Sequence, residues 1–156
     1  MPCGGEVEET EMKIYVASSW RNLLQPGIVL ALRRCGHEVY DFRSPAPGVT
    51  GFSWSEIDPQ WRDWTPEEYR DALQHPIADR GYDFDIRALR ACDACVLVLP
   101  SGRSASWEFG FAMGQGKRGY VVTLDKCEPE LMYREAEILT SMDALFDAFG
   151  EPTEAR

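Results

Sequence analysis

The sequence predicts a three-layer α/β fold around a mostly parallel sheet, and three observations carry that prediction. Short apolar runs alternate with helical patterns along the chain, the arrangement that packs helices on both faces of a sheet. The opening strand–helix–strand segment, residues 13–42, implies parallel pairing with a right-handed crossover. Residues 94–99 (ACVLVL) form an apolar run long enough for a central strand and too short for a lone buried helix.

The elements follow in order. Residues 13–18 (KIYVAS) are the first strand, and Ser19, Trp20, Arg21 and Asn22 make a polar loop with one aromatic. A helix then runs to about Cys35: Leu24, Ile28, Leu32 and Cys35 recur at helical spacing, and Pro26 suits its first turn. Gly36 ends it, and residues 37–42 (HEVYDF) are the second strand. Residues 43–64 are a long loop with Pro45, Pro47, Gly48, Gly51 and Pro59, and with Phe52, Trp54, Trp61 and Trp64. Disordered segments avoid aromatics, so this loop is expected to be an ordered, aromatic-lined lid; a surface for a partner or a second copy is the rival. Thr65-Pro66-Glu67-Glu68 is a helix start with a capping box, and that helix reaches about Gln74.

A further helix spans about residues 77–91 and leads into the central strand. Pro100 stops the strand, and Ser101, Gly102, Arg103 and Ser104 supply a turn with Ser104 as the expected N-cap. The next helix covers residues 104–115, where Gly110 and Gly114 share a face expected to bring it close to the sheet. Residues 119–124 (GYVVTL) are a fourth strand. Residues 131–137 look helical, Ile138 and Leu139 form a short fifth strand, and residues 141–149 close as an amphipathic helix. One domain over residues 12–150 results, with an acidic leader (1–11) expected to be disordered and a short tail (151–156).

Composition narrows the function classes. With 26 acidic and 16 basic residues the formal charge is −10, which opposes binding to a nucleic-acid polymer. No apolar run approaches the roughly 20 residues that span a bilayer, and the N-terminus lacks signal-peptide regions, so a cytoplasmic location away from membranes is expected. Five cysteines at scattered spacing (Cys3, Cys35, Cys92, Cys95, Cys127) fit reduced thiols rather than a disulfide framework. The Cys92-x-x-Cys95 pair has no second pair or nearby histidine, so buried structural thiols are expected. His37 and His75 are the histidines, with no clustered ligands, so neither a metal nor a cofactor is expected. No G-x-G-x-x-G follows the first strand, which argues against a Rossmann dehydrogenase.

The chemistry concentrates in residues 85–117. The loop after the central strand lies where open α/β sheets place their ligands, and a helix N-terminus can receive an anion there. Glu108 stands near the start of that helix. Taken alone it would be an ordinary acid complementing the helix dipole, but Trp107, Phe109, Phe111 and Met113 surround it with apolar bulk.

These residues resemble the nucleoside 2-deoxyribosyltransferase family and its relatives, the nucleotide N-glycosidases. The resemblance rests on KIYVASSW at the first strand, DIRALRACD before the third, the Ser/Gly loop after it, and WEFGFAMGQGK. It implies a flavodoxin-like three-layer αβα sandwich with a five-stranded sheet. It implies Glu108 as nucleophile in the E-x-G-x-A context Glu108-Phe109-Gly110-Phe111-Ala112, its ionised form favoured by the helix N-terminus. Asp85 is the implied proton donor to the leaving base, with Asp93 eight residues on, and Tyr15 is implied beside the nucleophile. Asp93 taken alone is a turn residue, and Tyr15 alone a core residue.

The expected substrate-binding residues are Ser18 and Trp20, Phe42 and Arg43, Trp54 in the long loop, and Ser101, Gly102, Arg103 and Ser104. Transferases acting on free nucleosides carry an acid in the loop before the nucleophile; SGRS offers hydroxyls and a cation instead, which favours a 5′-phosphate. The expected activity is cleavage or transfer at the N-glycosidic bond of a nucleotide or nucleoside, by a homodimer or higher homo-oligomer. Two alternatives stand beside it: a glycohydrolase of NAD resembling Toll/interleukin-1 receptor domains, and a non-catalytic nucleotide-binding module.

Overall fold

The structure is a computed structural model and describes residues 10–154. Most of the expected leader, Cys3 and the last two residues of the tail lie outside the described residues. Five parallel strands form one sheet: β1 (Lys13–Ala17), β2 (Glu38–Asp41), β3 (Ala94–Val98), β4 (Arg118–Val122) and β5 (Glu137–Leu139). Their order is β2-β1-β3-β4-β5, the doubly wound order of flavodoxin-like folds, whose switch point lies between β1 and β3. The helices are α1 (Gln25–Arg34), α2 (Pro66–Ala72), α3 (Pro76–Ala91), α4 (Arg103–Gly114) and α5 (Met142–Phe149).

Two apolar cores explain the layers. Ile28, Val29 and Leu32 of α1 and Leu145 and Phe149 of α5 pack on one sheet face with Ile14, Val16, Val96 and Val122. Ile86 and Leu89 of α3 and Ala105, Phe109 and Ala112 of α4 cover the other face with Tyr15, Cys95, Leu97 and Val121. Successive strand residues point to opposite faces, so β3, buried at every position, serves both cores.

Register decides what α3 and α4 meet. Tyr40 pairs with Tyr15, Tyr15 with Cys95, and Cys95 with Gly119, which makes one transverse row on the α3/α4 face. Its members shrink from two tyrosines to a thiol to no side chain. A Cβ at Gly119 would collide with Met113 and come within 3.1 Å of Phe109 Cζ, so the glycine that admits α4 belongs to the strand. Gly110 and Gly114 are exposed, with open space where a Cβ would stand. The expectation that they face the sheet is therefore corrected: Ala105, Phe109 and Ala112 occupy that face.

Other expectations shift at element ends. Gly102 caps α4 in extended conformation without a side-chain bond, and Ser104 lies inside the helix rather than at its cap. Residues 131–135 form a 3-10 turn before β5. The capping box on Thr65 and Glu68 is formed, and Gly36 takes a left-handed φ of 91° after α1. Thr153 ties the start of the tail to the Arg34 carbonyl. Cys92 and Cys95 are buried free thiols.

Candidate active site

The transverse row delivers two phenols to the side of the sheet where α3 and α4 each place an acid. Tyr15 is fully buried on β1 and stacks on Tyr40 of β2, with ring centroids 5.0 Å apart and planes 20° apart. The Tyr40 hydroxyl donates to Asp85 Oδ1 of α3 at 2.6 Å. Glu108 of α4 lies close enough for its charge to reach both tyrosines. The structure thus brings together all three expected catalytic residues, Glu108, Asp85 and Tyr15.

The electrostatics follow from burial with no basic side chain in support. Burial pushes Glu108 up to about 8, the Asp85 charge pushes in the same direction, and the Tyr15 hydroxyl opposes them. That hydroxyl makes no hydrogen bond of standard geometry; its effect on Glu108 is that of a nearby dipole. Asp85 is also raised by burial, with the Tyr40 hydrogen bond opposing. The two charges oppose one another, and the Tyr40 hydrogen bond to Asp85 favours the charge on that member of the pair. Both phenols are driven upward by burial and by these two acids, so they remain protonated.

The expected help of the α4 N-terminus in keeping Glu108 ionised is weakened by where the helix begins. The helix starts at Arg103, which places Glu108 in its second turn, and the dipole's influence falls off beyond the first.

Asp93 is structural. Its Oδ2 accepts from the Lys13 amide at 2.9 Å at the amino end of the sheet, away from the carboxyl pair.

The expected binding residues divide into separate groups. Ser18 donates to the Val98 carbonyl at 2.9 Å, and Asn22 donates to Pro100 O at 3.0 Å; together they staple the ends of β1 and β3 at the switch point. Trp20, Phe42 and Arg43 form one cluster: the Trp20 ring meets Phe42 edge-on, and the Arg43 guanidinium lies 5.5 Å from the Trp20 centroid. Arg43 Nη2 also donates to the carbonyls of Ser19, Trp20 and Asn22, so its cation is engaged with backbone. A Cβ on Gly51 would strike Trp20 and the Phe42 carbonyl, which shows how tightly the long loop closes on this cluster.

Trp54 belongs elsewhere. It packs edge-on against Phe52, Trp64 and Tyr69, while the Trp64 indole donates to Asp58 at 2.7 Å. Phe52 lies against Gly81, one helical turn from Asp85 on α3. The loop is thus an ordered satellite core, and its three tryptophans are partly covered within one chain. Ser101, Arg103 and Ser104 make no side-chain hydrogen bond or ion pair among the described residues, and Arg103 and Ser104 are exposed beside the free amides of α4.

Sequence reasoning missed Tyr40. The alternation in HEVYDF separates Tyr40 from Val39 and Asp41, a signal for its face, but its pairing with Tyr15 depends on register. It also missed Gln25, which is fully buried and donates to Asp41 at 2.9 Å.

Two open depressions lie away from the carboxyl pair, along α3 at Arg80, Phe84 and Arg87 and at the opposite sheet end around His37, Asp93 and Lys117. The first is walled by one helix and has no opposing surface to enclose a ligand. Among the described residues no group of three His, Cys, Asp or Glu could hold a metal ion, and no helix is long and apolar enough to cross a membrane. No protein-family model matches the chain, and no curated protein matches it.

Proposed function

We propose that this chain cleaves or transfers at the N-glycosidic bond of a nucleoside or nucleoside 5′-monophosphate, with Glu108 attacking C1′. The observation that carries this reading is the half-buried pair Glu108 and Asp85, without a cationic partner, beside the Tyr15 hydroxyl, which closes no hydrogen bond of standard geometry. Retaining cleavage needs one carboxylate as nucleophile and one acid for the leaving group. Near neutrality Glu108 holds a proton, and the Tyr40 donor favours the charge on Asp85. Productive binding must shift that proton toward Asp85 as C1′ gains positive charge.

The C1′–O bond to Glu108 then forms as C1′–N breaks. The base leaves with the bond's electron pair and takes the proton from Asp85. Water or a second base next attacks C1′, Glu108 departs as carboxylate, and the acceptor's proton passes to Asp85. Ser101, Arg103, Ser104 and the α4 amides would hold a 5′-phosphate.

The test is a panel of nucleosides, their 5′-monophosphates and NAD, with released base followed by chromatography. Glu108→Ala is expected to abolish release, since losing a covalent nucleophile costs many orders of magnitude; retention of more than about a tenth of the turnover would sink the nucleophile assignment. The 5′-monophosphate is expected to outperform its nucleoside. Arg103→Ala should shrink that preference roughly tenfold or more, the worth of a charge-assisted contact of about 1.5–3 kcal/mol. Equal wild-type rates on both substrates would exclude the phosphate site.

The lack of a cation beside the carboxyl pair also suits a base that is itself positively charged, which favours NAD as the second reading. A pyridinium leaves as a neutral molecule and needs no proton, so Asp85→Asn should spare its release and depress that of a neutral base. Ligand binding without any base release, unchanged in Glu108→Ala, would instead identify a non-catalytic module.

A further inference from the structure

The two acids of the pair differ in what donates to them. Asp85 receives the Tyr40 hydroxyl at 2.6 Å, whereas the donor beside Glu108 is the Tyr15 hydroxyl, which favours its ionised form without closing a hydrogen bond of standard geometry. We propose that Tyr40 is a positioning residue whose hydroxyl fixes Asp85 as the ionised member of the pair and leaves the proton on Glu108 until a ligand arrives.

The geometry argues for it on three counts. The Tyr40 ring is held by its stack on Tyr15 and by strand register, so its hydroxyl has a fixed aim. Burial and the neighbouring acids keep that phenol protonated, which makes it a donor throughout the physiological range and makes Oδ1 an acceptor. In apolar surroundings a charge settles on the group that is given a donor.

The titratable groups facing the pair are Tyr15 from β1, Tyr40 from β2 and Cys95 from β3, with the Asp41 charge reaching Tyr40. None is cationic at neutral pH, so the balance lies between the two phenols: the hydrogen bond from Tyr40 is formed and the one from Tyr15 is not, which favours the charge on Asp85. The charge assignment stands independently of any reaction; the positioning role rests on the glycosidic reading above, where it sets the resting state from which the proton must move.

Tyr40→Phe keeps the ring stack and deletes the hydroxyl. Carboxyl 13C NMR titrations of wild type and Tyr40→Phe, assigned with Asp85→Asn and Glu108→Gln, read both acids directly. The Asp85 midpoint should rise by roughly one to two pH units, the worth of a hydrogen bond to a charged group, and that of Glu108 should fall as its neighbour becomes neutral. Unchanged midpoints would overturn the proposal. If Tyr40→Phe does not fold, Asp85→Ala gives the reciprocal reading: tyrosinate absorbance should appear at lower pH than in wild type, and an unmoved alkaline titration would overturn the proposal equally.

In base-release assays, the kcat/KM profile of Tyr40→Phe should move along the pH axis with the Asp85 midpoint, at little change in KM. An NMR shift without base release from any panel substrate by the wild type would sink the glycosidic reading and the positioning role together, and leave the charge assignment standing.

Discussion

Glu108 carries a proton to about pH 8 in the folded chain, against an ordinary value of 4.5, and this difference links the site to stability. Between those values the folded state binds more protons than the unfolded, so stability falls as pH rises through that window. Below pH 4.5 both states are protonated and the penalty vanishes; above pH 8 it is present in full. Glu108→Gln removes the ionisation. Its stability relative to wild type is expected to climb between pH 4.5 and 8 by on the order of 1–3 kcal/mol, after discounting for solvent screening. Urea denaturation at pH 5 and pH 8.5 measures this, and equal differences at both would contradict the assigned burial cost. At this scale the sequence made Glu108 visible, because an acid among Trp107, Phe109 and Phe111 is chemically out of place. Tyr40 stayed hidden because its role arises only when two strands align.

Helix α4 and strand β4 meet at Gly119, and the two faces of α4 give opposite expectations for the same substitution. Gly119→Ala drives a methyl against the movable end of Met113 and to within 3.1 Å of Phe109 Cζ. Met113 can swing aside while the buried Phe109 ring must give, so the cost should lie at the low end of the about 1–3 kcal/mol of overpacking. Gly110→Ala meets nothing on an exposed turn and should gain about 0.5–1 kcal/mol from helix propensity. Thermal melts of both variants decide the matter, and a stabilised Gly119→Ala would refute the packing described. Features set within a few residues were legible from sequence, as with the Thr65 capping box and the amphipathic closing helix α5, whose cap at Ser141 went unread. A second capping box, Ser53 with Glu56 in the long loop, carried the same S-x-x-E signal and went unread. Which glycine faces the sheet was not legible, since it depends on how α4 is rotated against strands distant in sequence.

For the molecule as a whole, 26 acidic against 16 basic residues leave net self-repulsion. Among the described residues the formed ion pair is Arg70 with Asp71, both well exposed, a contact of little energetic worth. Salt therefore screens more repulsion than attraction, and the urea midpoint should rise when sodium chloride is increased from low concentration to about 0.5 M; a fall would point to favourable charge networks instead. Layer assignment was readable from the strand–helix alternation, whereas strand order and the self-contained packing of residues 43–64 needed three dimensions. The row Tyr40, Tyr15, Cys95, Gly119 has a consequence for anyone redesigning this protein. Its phenols belong to pairing strands, and the two acids beside them to helices packed on those strands, so the cluster forms part of the chassis. Loops at the strand ends can be exchanged while the cluster stays put, but grafting those loops onto another scaffold would carry none of it across.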